Sequence, residues 1–291
     1  MKNKTVITVL IAMSAIAATS CKSQFELVLD GNDVDKKYEW AFDMFNQGKY
    51  NKAAQLFENL SISTSGTERD DTVQYYWGLS NYRFKDFYTA ETNFQNFTEK
   101  FPRSPFTEEA SFLRVDCLYK QTLRYELDQA PSTKCIAAIG EYLTEFPLSQ
   151  HLEACQSMLD DLSQRLDQKA YENAKLYYKM EDYQAARVAL KNVLKDDAEN
   201  RYREQILYYT AMSSYKYAQL SVADKQRDRY LAFTDDYLNF AGEYPDSKYK
   251  REMDTLYKRA QKALGKNVGE DADDKTSARE FEKERKAMEA K

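Results

Sequence analysis

Apolar residues recur three and four positions apart, with charges between them, along stretches such as residues 108–126 and 151–179. That period is the one by which an amphipathic helix keeps a single face dry. No alternating pattern of comparable length predicts a strand, so the expectation is an all-α chain with no sheet. Two ends depart from the pattern. Residues 6–18 form an apolar run without charge behind Lys2 and Lys4, and residues 267–291 are almost entirely charged or small. Residues 22–34 read as an extended tether with a turn at Asp30-Gly31-Asn32-Asp33, which lacks the Gly and Glu placement of a calcium loop.

Within the helical body one template repeats. Ala41, Tyr50, Ala53 and Phe57 stand at offsets 0, +9, +12 and +16, and Gly78, Phe87, Ala90 and Phe94 repeat those offsets. Ala174, Tyr183, Ala186 and Leu190 do so again. Cys135, Ile139 and Pro147 keep the second half of the pattern, as do Phe233, Tyr237 and Pro245. Small residues at matched positions let two helices approach closely, an aromatic steadies the turn, and a proline stops the second helix. The pattern resembles the tetratricopeptide repeat, which implies an α-α superhelix of about five helix pairs plus a closing helix over residues 35–265. Three phrases punctuate it: Phe101-Pro102-Arg103-Ser104, Phe146-Pro147-Leu148-Ser149 and Tyr244-Pro245-Asp246-Ser247, each Ser being placed to cap the next helix. Longer connections are expected at residues 128–133 and 221–228. Residues 266–291 are expected to be a disordered or fraying helical tail.

Composition agrees. Gly and Pro number 8 and 5 in 291 residues, too few for a turn-rich β fold, while 43% hydrophobic and 14% aromatic residues exclude a disordered chain. A net charge of −5 lacks the basic footprint of nucleic-acid binding. The run at residues 6–18 has the length of a signal-peptide core and is too short to span a bilayer. It ends in Ala18-Thr19-Ser20-Cys21, which resembles a bacterial lipobox: residues 1–20 would be cleaved, Cys21 would carry diacylglycerol and N-acyl lipid, and residues 21–34 would form a lipidated tether. Lys22 beside that Cys, with no acidic run after it, points to the periplasmic leaflet of the outer membrane. Cys117, Cys135 and Cys155 read as small packing positions, with a Cys117–Cys135 bridge as the alternative.

Candidate chemistry is sparse. A single His rules out a multi-His metal site, and no Gly-rich phosphate loop exists. His151 and Cys155 share a helical spacing, but repeat alignment makes Cys155 a packing position. The expectation is no enzyme, no metal and no cofactor beyond the covalent lipid.

A lipobox Cys, a short tether and five such pairs with F/Y-P-x-S phrases closing pairs two, three and five resemble the BamD family of outer-membrane assembly lipoproteins. The likeness runs from Asp35 to about Leu264, with Lys37 standing where the repeat prefers a bulky apolar group. It implies a non-enzymatic scaffold of the β-barrel assembly machinery, with the barrel-forming subunit, unfolded β-barrel precursors and other assembly lipoproteins as partners. The alternatives are a periplasmic cell-envelope scaffold coordinating Tol or peptidoglycan functions, and a small glycan-capture lipoprotein. Positions flanking the small residue of the first helices select Tyr38, Phe42, Phe45, Tyr75, Leu79, Tyr82 and Arg83 as a binding face, with Arg83 for a terminal carboxylate or an acidic partner side chain. The same rings would equally serve burial against their own neighbours.

Overall fold

A computed structural model describes residues 23–265, and every regular element among them is a helix. In chain order these are α1 (Gln24–Asp30), α2 (Val34–Asn46), α3 (Tyr50–Ser63), α4 (Asp70–Phe84), α5 (Phe87–Lys100) and α6 (Thr107–Lys120). They continue as α7 (Ala130–Glu145), α8 (Leu152–Lys179), α9 (Tyr183–Asp196), α10 (Arg203–Gln219), α11 (Ala223–Glu243) and α12 (Lys250–Ala263). From α2 to α11 they form five consecutive helix pairs, and α12 closes the series: an all-α tetratricopeptide-type fold. The expected signal segment 1–20, Cys21 and the expected tail 266–291 lie outside the described residues.

The small residues sit where the template requires. Ala41, Ala53, Ala90, Ala186 and Ala211 are fully buried. A Cβ built on Gly78 would stand 2.8 Å from Phe94 Cε1, so the α4–α5 seam has no room for one methyl. Tyr50, Phe87 and Tyr183 each open a second helix, and the turn before each reverses through a left-handed residue: Gly48 (φ +73°), Lys85 (φ +69°) and Glu181 (φ +64°). Asp86 and Asp182 then cap α5 and α9, accepting from Thr89 N and Ala185 N at 3.1 Å each.

At the proline phrases Phe101, Phe146 and Tyr244 adopt nearly one conformation, φ −124°, −122° and −127° with ψ 58°, 67° and 67°. The following proline excludes αR for each, and the helix ends there. The serines do not cap N2 or N3 of the next helix. Each accepts from the amide two residues on: Ser104 from Phe106 N (3.3 Å), Ser149 from His151 N (3.1 Å) and Ser247 from Tyr249 N (3.1 Å).

Three expectations are corrected. Residues 24–30 are helical rather than extended, because a capping box joins Ser23 and Glu26 and the helix buries Val28 against the first pair, beside half-buried Phe25 and Leu29. The connection before α7 occupies residues 121–129, and α7 starts at Ala130, since Pro131 fits the first turn, where its missing N–H is not needed. Between α10 and α11 only residues 220–222 are non-helical.

The described residues divide into two compact units, residues 23–123 with 129–159 and residues 124–128 with 160–265. The first holds two apolar clusters, around Ala41, Leu56, Phe57 and Val73 and around Ala90, Phe94, Phe97 and Cys117. The second is organised around Leu190, Tyr208, Phe233, Phe240 and Met253.

Candidate functional site

Tyr38, Phe42 and Phe45 lie on α2 at −3, +1 and +4 from Ala41, one stripe along the helix. Phe42 meets Tyr38 at 4.9 Å, Phe57 edge-on at 5.1 Å and Tyr76 at 4.7 Å between centroids. Phe45 packs on Tyr76 at 5.2 Å and on Tyr50 at 5.4 Å. All three are half-buried among these neighbours.

On α4, Tyr75 is buried, and burial pushes its hydroxyl up to about 12. The Tyr82 hydroxyl donates to Asp116 Oδ2 at 2.6 Å, and burial together with that bond holds its proton far above the ordinary range. Leu79 is half-buried in the same cluster. Arg83 is exposed, with no hydrogen bond or ion pair to any described residue.

The selected rings divide by what they touch. Three residues before the small residue of four first helices stands an aromatic, Tyr38, Tyr75, Tyr171 and Tyr208, and Phe112 stands three before Val115 in the remaining one. Each is covered face-on by the residue just before the next first helix or the closing helix. Arg69 lies over Tyr38 at 4.7 Å. Phe106 stacks on Tyr75 at 4.5 Å and 10°, and His151 on Phe112 at 3.7 Å and 5°. Tyr202 stacks on Tyr171 at 4.9 Å and 7°, and Tyr249 on Tyr208 at 4.1 Å and 18°. The amide of every covering residue donates to a polar side chain two positions earlier, in order Thr67, Ser104, Ser149, Asn200 and Ser247. Tyr38 and Tyr75 therefore belong to a brace that recurs in all five pairs, and the ring seven residues further on recurs as well, as Phe45, Tyr82, Tyr119, Tyr178 and Tyr215, while the residue four past the brace, Phe42 or Leu79 in the first two pairs, is Asp116 and Lys175 in the third and fourth.

Sequence reasoning missed Tyr76 and Phe106, which join the α2 stripe to the α4–α6 contact. Tyr76 aligns with Glu39 of the first copy, so the template pointed away from it. The signal for Phe106 was present: an aromatic follows the phrase Ser by two residues in all three phrases. Also missed was Asp236 of α11, its side chain 1% exposed, which accepts from Arg187 Nε and Lys191 Nζ at 2.6 Å each and from Ser214 Oγ.

His151 bonds Glu109 Oε2 at 3.0 Å while stacked on Phe112, so its ring is committed to packing. Cys117, Cys135 and Cys155 are buried thiols without a disulfide, and Cys135 Sγ donates to the Val115 carbonyl at 3.9 Å. Burial raises the Cys117 and Cys155 thiols, which keeps both protonated near neutrality, unlike a nucleophilic cysteine. No group of three or more His, Cys, Asp or Glu among the described residues is placed to hold a metal ion.

A solved structure described as the TPR2AB-domain:pHSP90 complex of yeast Sti1 overlaps 78% of this chain and 98% of that one, with 15% identity and a TM-score of 0.37. The outer membrane protein assembly factor BamD of Caulobacter vibrioides is 21% identical over 175 residues, which span 60% of this chain and 57% of that relative's length. The family model YfiO, described as outer membrane lipoprotein, matches residues 31–231, the stretch containing all five repeat pairs up to the start of α11. With most of its described residues inside that match, the chain belongs to the YfiO family of outer membrane lipoproteins.

Proposed function

We propose that this lipoprotein is a non-enzymatic scaffold for β-barrel assembly at the outer membrane, anchored through lipid on Cys21 and facing the periplasm. In this role it holds the barrel-forming subunit and receives unfolded barrel precursors. The observation that carries the reading is family membership over the repeat body, joined by a relative whose name is that of an outer membrane protein assembly factor. The stripe of Phe42, Phe45, Leu79 and Tyr82 supports it, since half-exposed rings accept the apolar side chains of a strand. Arg83, exposed one residue beyond Tyr82, is suited to a terminal carboxylate. The raised thiols and the packed His151 favour a binding role over catalysis.

Affinity recovery from detergent-solubilised envelopes tests the reading. A β-barrel of the assembly family should co-purify with the wild-type chain. Recovery of a Tol component or a glycan transporter in its place would replace the proposal.

A further inference from the structure

In the first unit, the turn between α4 and α5 exposes two rings that packing does not require. Phe84, the last residue of α4, is 52% exposed, and Tyr88, in the first turn of α5, is 78% exposed. The aligned residues of the first pair are Gln47 and Asn51, so the repeat itself asks for no aromatic at either place. Lys85 lies between the two rings, and Lys49 and Lys52 stand at the corresponding turn of the first pair. None of these lysines has a carboxylate partner among the described residues: Lys49 Nζ donates to the neutral Gln47 Oε1 at 2.8 Å, and Lys52 lies over the Phe25 ring at 5.0 Å. Nearby acids are engaged in helix caps, Asp86 accepting from Thr89 N at 3.1 Å and Glu26 from Ser23 N at 2.6 Å. Asp43, one turn back along α2, is exposed and offsets part of the positive charge.

The chain enters the body at this same rim. Lys52 belongs to the first turn of α3, so its contact with Phe25 puts the start of α1 beside the α2–α3 turn. Cys21 precedes Phe25 by four residues, a reach of at most about 14 Å. α2 and α4 both pack antiparallel to α3 and point the same way, Phe45 near the end of α2 meeting Tyr76 at 5.2 Å. α4 continues about two turns past Tyr76, so the Phe84–Tyr88 turn stands furthest out. Exposed rings beside lysines, on a chain of net charge −5, suit the headgroup layer of an anionic bilayer, where rings lie between hydrocarbon and water and lysines meet phosphate. An acidic protein would also suit the lysines, but the lipid anchor holds the bilayer at this rim. We propose that the rim formed by the α2–α3 and α4–α5 turns lies against the anionic phospholipid surface of the membrane, Phe84 and Tyr88 in the headgroup layer and Lys49, Lys52 and Lys85 on lipid phosphates. The choice of rim rests on the Cys21 anchor reading.

Because Cys117, Cys135 and Cys155 are buried, a new surface cysteine can be labelled selectively with bimane in the full lipidated chain. Phe84→Cys, Tyr88→Cys and Leu148→Cys chains are labelled and reconstituted in phosphatidylethanolamine–phosphatidylglycerol vesicles containing brominated lipid. Leu148 is the control: it is 96% exposed, but in the turn after α7, at the opposite rim. Bromine should quench the labels at Phe84 and Tyr88 at least about twofold and leave that at Leu148 unchanged. Lys49→Glu combined with Lys85→Glu, or vesicles of neutral phosphatidylcholine, should restore most of the emission at Tyr88. Equal quenching at all three positions, none at Phe84 and Tyr88, or quenching indifferent to lipid charge overturns the proposal. Labels unquenched in vesicles at a rim that is protected from maleimide in intact envelopes would assign it to a protein partner, which overturns the proposal as well. A chain that does not float with the vesicles brings down the anchor and the rim together, whereas one that floats unquenched brings down the rim alone.

Discussion

At Gly78 the distance to Phe94 settles what a side chain would do. Gly78→Ala forces the Phe94 ring or the helix seam to move, at a cost of about 1–3 kcal/mol. Urea denaturation of that variant should show the loss, and an unchanged midpoint would mean that α4 and α5 are not in close contact. His151 invites a chemical interpretation because it is the single histidine, yet its ring takes the place that phenylalanine or tyrosine takes in three other pairs. His151→Phe should therefore keep stability within about 1 kcal/mol, the Glu109 bond being partly exposed, whereas His151→Ala should lose about 1–2 kcal/mol with the stacked ring. Thermal melts of the two variants check this, and equal losses would point to the imidazole itself.

The turn joining α3 to α4 carries a pH-sensitive carboxylate. Asp70 is buried, which raises its pKa, but hydrogen bonds from Lys100 Nζ at 2.8 Å and Gly66 N at 2.7 Å outweigh burial and hold it below the ordinary value. Its contribution is present above the unfolded-state pKa and is lost as pH falls through the lowered folded value. Asp70→Asn should therefore be less stable than wild type near neutrality, with the gap narrowing in acid below the ordinary carboxylate range. Melts across pH check the narrowing. Element by element, the repeat pairs were readable because close helix contacts demand small residues at fixed spacing, and Ala41, Ala53, Gly78 and Ala90 declare themselves. α1 was not, since Phe25, Val28 and Leu29 span too little chain to show a period. The start of α11 was hidden for another reason: residues 223–229 place no side chain in the core, and periodicity cannot detect an exposed, charged first turn. The candidate face was half readable in its packing. Flanking the small residue picks out a stripe on α2 and α4, but it could not separate braces such as Tyr38 and Tyr75 from the other rings, because that depends on Arg69 and Phe106 arriving from the next turn.

For the whole molecule, the five braces make the repeats alike. The pairs differ four residues past the brace, where Phe42 and Leu79 of the first two stand against Asp116 and Lys175 of the third and fourth, and the fifth differs by Asp236, held by Arg187 and Lys191. Lipidation at Cys21 is a separate premise. Mass spectrometry of the native N-terminus should find acylated Cys21, and an unmodified terminus elsewhere would remove the anchor while leaving the repeats intact. The central claim is capture of barrel precursors by the first two pairs. Photocrosslinking in cells tests it most directly, with the reactive residue at Arg83 or Phe42 rather than at the braced Tyr75. The account predicts adducts with unfolded barrel precursors at these positions, whereas adducts confined to the fourth and fifth pairs would contradict it.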